Sequence, residues 1–288
     1  MVIVTIGFIL YWNMRIILFN TLLCFLGMYA QGQELYVYTE PASNMAAKSI
    51  GFRLTNSLMQ QVSNKEQYNF HGVPELMIGI SKKSMLHGQV FLSNRNTKLI
   101  TEGGALYYKY RFFSVDEVNK HFRMAAYTRL SYNISDVHQP AIDLFGHNSG
   151  VETGVIATQL IKKVALSASL AHMYAADNGK GNKFIYANNN RNAVGYTLSV
   201  GKLMLPKTYT SYNQTNMNLM VEMLGQTNWE TGSSFLDLAP SLQLILFSKM
   251  RIDVGYRFPM INDLKRTADR GFLLRLEYNI FNAFWSWK

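Results

Sequence analysis

Apolar and polar residues alternate along much of the chain. In the segment 250–260, Met250, Ile252, Val254, Tyr256, Phe258 and Met260 fall on one side, and Arg251, Asp253, Gly255 and Arg257 on the other. Residues two apart point the same way in an extended strand, so the pattern predicts strands with one apolar and one polar face. Near the C-terminus, Phe272, Leu274, Leu276, Tyr278 and Ile280 oppose Leu273, Arg275, Glu277 and Asn279. Between 121 and 134, Phe122, Met124, Ala126, Leu130, Tyr132 and Ile134 oppose His121, Arg123, Tyr127, Arg129, Ser131 and Asn133. Between 216 and 223, Met217, Leu219, Val221 and Met223 oppose Asn216, Asn218, Met220 and Glu222. Less regular segments begin near Lys48, Val73, Leu86, Thr101, Gly150, Ala165, Asn192 and Ser234. The stretch Val151–Leu160 is the weakest, because both of its faces are mixed.

These segments add up to about twelve strands, an even number as in single-chain bacterial barrels. Short turns at 81–84, 161–163 and 247–250 alternate with longer connections at 62–71, 135–149, 175–192, 225–233 and 261–270. Short periplasmic turns and longer outer loops give that rhythm. The expected fold is therefore all-β: an antiparallel transmembrane β-barrel of about twelve strands over residues 48–288.

The N-terminus reads as an export signal. Met14-Arg15 precedes the apolar stretch Ile16–Gly27, and Ala30-Gln31-Gly32 supplies small residues for cleavage. Residues 1–32 are then a signal peptide, with 1–13 as an upstream start or an extension of it. The single Cys24 falls inside this segment, and Leu23 stands before it where a lipoprotein signal requires a small residue. The mature chain would carry no disulfide and no thiolate site. Residues 33–47 are expected as a periplasmic N-terminal lead-in, with a short plug as the alternative for 35–47.

Composition fits this picture. Charged residues make up 16% of the 288, against about a quarter in soluble domains. Mean hydropathy is only −0.03, and beyond the signal no apolar run of about 20 residues remains, which argues against a helical membrane protein. The formal net charge of +10 would suggest a nucleic-acid partner in the cytosol, but the export signal argues against that.

The segment Leu274–Phe281, LRLEYNIF, resembles the terminal strand that the barrel-insertion machinery reads in Gram-negative outer-membrane proteins. The chain as a whole resembles outer-membrane β-barrel proteins of Bacteroidota-like bacteria. The likeness is architectural and names no substrate. It implies outer-membrane lipid, lipopolysaccharide and the insertion machinery as partners, and no cofactor. The tail NAFWSWK departs from the pattern. Its Trp285 and Trp287 suit the membrane interface.

Alternation assigns Arg53, Lys109, Arg111, Arg123, Arg129, Arg251, Arg257 and Arg275 to the lumen, together with Glu75, Glu222, Asp237, Asp253 and Glu277. Each basic one would cost about 2–4 kcal/mol on the lipid face at mid-membrane, and each acidic one less. The set either pairs across strands and fills a narrow interior or lines a passage that attracts small anionic solutes. Lys180, Lys183, Arg191, Lys265, Arg266 and Arg270 fall in expected outer loops, where they could contact lipopolysaccharide phosphates. The histidines show no metal-binding spacing, and DNGKGNK (177–183) reads as a flexible loop.

FGHNSG (145–150) is the one stretch with catalytic potential. His147 and Ser149 form a minimal base and nucleophile, placed on a face shared with Val151 and Val155. The pair resembles the His-x-Ser of outer-membrane phospholipases, which would make the chain a lipid hydrolase. Gly150-Val151 stands where that family has Asn-Gly, and the glycines with Asn148 also suit a plain turn. Three functions are therefore expected in order: a narrow channel, a lipid hydrolase, and a non-transporting structural or secretion-associated barrel.

Overall fold

The computed structural model describes residues 36–95, 98–185, 191–208, 211 and 213–284. The signal segment 1–32 with Cys24, and the tail residues Trp285 and Trp287, lie outside these residues. Twelve strands follow in order: β1 (Ile50–Gln61), β2 (Tyr68–Gly79), β3 (Ser84–Ser93), β4 (Ile100–Glu117), β5 (Lys120–Asn133), β6 (Gly150–Ile161), β7 (Val164–Ala175), β8 (Asn192–Leu205), β9 (Asn216–Asn228), β10 (Ser234–Leu246), β11 (Met250–Asn262) and β12 (Ala268–Ile280). Each pairs with its sequence neighbours, and β1 closes antiparallel on β12. Closure leaves no open edge along the wall, so the ladder satisfies the backbone polar groups without water.

The alternation becomes an inside and an outside. Phe52, Leu54, Leu106, Leu130, Val155, Leu170, Leu198, Leu219, Val254, Leu274 and Leu276 are exposed and form an outer apolar belt. Arg53, Glu75, Lys109, Glu222, Asp237, Arg251, Asp253, Arg275 and Glu277 are buried inside. An apolar belt around a charged interior is the inverse of a water-soluble domain, and it defines a transmembrane barrel.

The strands run further than alternation alone marks. Four of the long connections shrink, to 62–67, 176–191, 229–233 and 263–267, while the fifth spans 134–149 and a sixth lies at 94–99. β2 starts at Tyr68 rather than near Val73, because Gln60↔Tyr68 through Asn56↔Gly72 are paired rungs. Beyond the belt both faces are polar, so periodicity fades while the hydrogen-bond ladder continues. On the other rim the turns are 80–83, 118–119, 162–163 and 247–249, but 206–215 is longer than the expected rhythm. β12 ends at Ile280 and Phe281 begins a turn, so the expected terminal strand stops there.

Residues 36–47 are not a periplasmic lead-in. They lie inside the barrel as a plug against its inner wall. Tyr36 and Val37 pack on Ala165, Met220 and Leu273. Ala42 meets Ala125 and Ile156, and Met45 meets Met77 and Met85. These contacts explain apolar residues on the polar side of several strands, including the mixed faces of Val151–Leu160, where Ile156 points inward at Ala42.

Candidate functional site

The lower lumen is built around the plug. Glu222 of β9 accepts hydrogen bonds from the backbone N–H groups of Val37 (2.9 Å), Tyr38 (3.0 Å) and Thr39 (2.8 Å). Three successive amides converging on one carboxylate make a charge-assisted anchor. Lys109 Nζ donates to the carbonyls of Pro41 (2.7 Å) and Ser43 (2.8 Å). Thr158 Oγ1 accepts from Ala42 N–H at 2.9 Å. Glu40 of the plug takes a 2.7 Å ion pair from Arg53, which also reaches Glu277 at 2.9 Å.

Most of the inward charges are paired. Arg251 bridges Asp253 (3.0 Å) and Glu277 (3.1 Å), and Arg129 holds Glu152 at 2.7 Å. Arg257 and Arg266 share Asp237. Glu75 lies against His87 and 3.5 Å from Arg53. Arg111 and Arg123 sit at the lower rim, bound to the Lys82 carbonyl and to Asp116 respectively. Arg275 differs. Its Nε donates to Thr55 Oγ1 at 3.1 Å, and no carboxylate among the described residues is within ion-pair distance.

The upper lumen is closed by the connection 134–149, which folds inward. Val137, Ile142 and Leu144 pack with Ala175, Phe184 and Ala193, while Ala141 meets Phe235 and Leu264. The Gln226 side chain clasps Ile142, accepting from its N–H (2.9 Å) and donating to its C=O (2.6 Å). Gln139 Oε1 accepts from Thr267 N–H at 3.0 Å on the opposite wall. Phe145 rests on Phe91 and His71, with the Arg129 guanidinium 5.2 Å above its ring.

FGHNSG is the end of this insert. His147, Asn148 and Ser149 are all buried, so Ser149 does not share the outer face with Val151 and Val155. Gly150 sits at φ 150°, where the strand parity breaks. Ser149 Oγ accepts from Asn133 N–H (2.9 Å) and donates to Asn133 C=O (3.1 Å). His147 Nε2 accepts from His138 N–H at 3.1 Å, and Nδ1 faces Arg95. The serine hydroxyl and the imidazole are thus each engaged elsewhere, as clasps that hold the loop down. Asn182 joins them, accepting from Ser149 N–H at 2.9 Å and donating to His147 C=O at 3.0 Å. DNGKGNK is therefore tied into the insert through its buried Asn182, which its glycines and lysines concealed.

The basic outer set divides. Arg266 is buried inside, bidentate on Asp237 (2.5 and 2.8 Å) with Phe235 3.9 Å beneath it, and so is not an outer-surface residue. Arg191 pairs with Asp177 at 2.7 Å, and this hydrogen bond holds the Asp177 carboxyl below its usual range. Lys180, Lys183, Lys265 and Arg270 are exposed at the upper rim. Among the described residues no group of three His, Cys, Asp or Glu is placed to hold a metal.

Between plug and insert lies a chamber of about 390 Å³. Tyr38 and Glu40 line its floor, and 139–147 its roof. Its charged lining comprises Arg53, Arg95, Arg129, Arg257, Arg266 and Arg275 against Glu40, Glu75, Asp143 and Glu152. The wall from β7 to β8 presents the small groups Ser169, Ala171, Gly195 and Thr197 together with Met173 and Tyr196.

No protein-family model and no curated protein matches the sequence. Solved structures of similar fold include a NanC porin, 8% identical over 80% of this chain and 98% of that one, with a TM-score of 0.47. Outer membrane phospholipase A from Escherichia coli is 10% identical over 88% and 96%, with a TM-score of 0.40. A loop-deletion mutant of OmpT, an outer membrane protein of Vibrio cholerae, is 8% identical over 80% and 98%, with a TM-score of 0.36. At these identities the likeness concerns the fold alone.

Proposed function

We propose that this chain is an outer-membrane barrel that passes small anionic solutes through a narrow, gated lumen. The supporting observation is the chamber, lined by six arginines of which Arg275 has no carboxylate within ion-pair distance among the described residues. A low-dielectric wall focuses the field of such an unpaired cation and draws anions inside. In the closed form the plug occupies the lower lumen and the 134–149 insert the upper. The plug is held by apolar contacts of Tyr36, Val37, Ala42 and Met45 and by polar contacts to Glu222, Lys109 and Arg53, which water can replace once it moves. The plug rim then faces the periplasm, after export by the cleaved signal 1–32. Lys180, Lys183, Lys265 and Arg270 face lipopolysaccharide on the other side. The clasp around Ser149 offers nothing in favour of the hydrolase reading.

Single-channel recording of the purified barrel in planar bilayers tests this. The expected result is discrete, anion-preferring openings. A cation-preferring reversal potential would reject anion passage. A barrel that stays silent while its heat-modifiable gel shift reports a folded state would favour a structural or secretion-associated component.

A further inference from the structure

Arg275 is 6% exposed and lines the chamber. Of its five N–H donors, those on Nη1 are buried with no hydrogen-bond partner, and Nε reaches only the neutral Thr55 hydroxyl. Its paired residue on β11 is Asp253, whose Oδ2 is held by Arg251 and which makes no ion pair with Arg275. Arg53 is held by Glu40 and Glu277, and Arg251 by Asp253 and Glu277. A guanidinium withdrawn from water without an anion is costly, and its planar fork matches a carboxylate edge-on. Beside it the hydroxyl of Tyr38, carried by the plug, is also buried without a partner. Tyr38 packs on Gly255, where any side chain would displace its ring. This glycine admits the tyrosine to the chamber floor.

We propose that the chamber is a binding site for a small carboxylate, with Arg275 taking the carboxylate and Tyr38 adding a hydrogen bond. The carboxylate class follows from the fork geometry of Arg275. The facing wall is mixed: the Ser169 and Thr197 hydroxyls, hydrogen-bonded to each other at 2.6 Å, stand beside Met173, Tyr196 and Leu224. The volume of about 390 Å³ lies in the range of roughly 300–1,000 Å³ common to small-molecule sites. The site deepens the channel reading, as the place where a permeating anion rests.

Calorimetric titration of the full barrel in detergent with sodium gluconate, and with glucose as the neutral match, tests the site. Gluconate is expected to bind saturably and glucose not at all. Arg275→Gln should weaken gluconate binding at least tenfold and Tyr38→Phe about threefold. Arg275→Lys keeps the charge but loses the fork and should weaken it severalfold, which keeps the test open if the glutamine variant fails to fold. Gluconate binding of undiminished affinity in any folded Arg275 variant, or equal binding of glucose, overturns the site. Bilayer recordings on the same proteins separate the two readings. Anion-selective openings with binding indifferent to Arg275 reject the site and leave the channel. Arg275-dependent binding in a barrel that never conducts supports the site and rejects the channel.

Discussion

The Glu222 carboxylate is fully buried and faces three successive plug amides. Hydrogen bonds to a charged group contribute about 1.5–3 kcal/mol each. A glutamine offers one neutral acceptor oxygen, and its amide N–H groups would face the plug's own donors. Glu222→Gln should therefore loosen the plug by about 2 kcal/mol, roughly thirtyfold in the closed-to-open ratio. Open probability in planar bilayers measures this directly, and an unchanged value would mean the plug is not the gate. In sequence, Glu222 looked like one lumen acid among several. Nothing in the pattern of β9 marks it as the anchor, because its partners lie 183 to 185 residues away.

At the scale of elements, the junction from the 134–149 insert into β6 turns on Gly150. A Cβ there would collide with the Tyr174 carbonyl oxygen of the paired strand, at a φ that side chains rarely adopt. Gly150→Ala should destabilise the barrel by about 1–3 kcal/mol, through strain and the loss of the clasp that Ser149 forms with Asn133. Gly88 of β3 has open space around its Cβ position, and Gly88→Ala should fall within about 0.5 kcal/mol of the parent. Urea midpoints of the two variants refolded in lipid vesicles make the comparison. Equal midpoints would show that the junction carries no strain. Strand existence was legible in the sequence because a lipid-facing residue must be apolar at every second position. Strand ends were not, since above the belt water meets both faces.

For the whole molecule, the closing seam between β1 and β12 carries the densest ion network. Arg53 draws together Glu40 of the plug, Glu75 of β2 and Glu277 of β12. Removing the cation would leave these buried acids facing one another, and breaking a buried pair in this way costs about 3–5 kcal/mol. Arg53→Met should thus lower the urea midpoint markedly, whereas Arg191→Gln, which removes the exposed pair with Asp177, should shift stability by less than about 1 kcal/mol. Similar losses for both would argue that the seam does not depend on the network.

By itself the sequence determined the barrel, its strand number and the inward side of its charges. Those follow from local rules, period-two alternation and the cost of charge in hydrocarbon, which act on each segment without reference to the others. Only the tertiary structure decided what fills the lumen. It placed Tyr36–Ala47 inside rather than beneath the barrel, moved Arg266 from the outer surface to Asp237, and turned the His147 and Ser149 pair into clasps. It also left Arg275 without the carboxylate that its neighbours received. Each of these depends on contacts between residues far apart in the chain, which alternation within one strand does not encode.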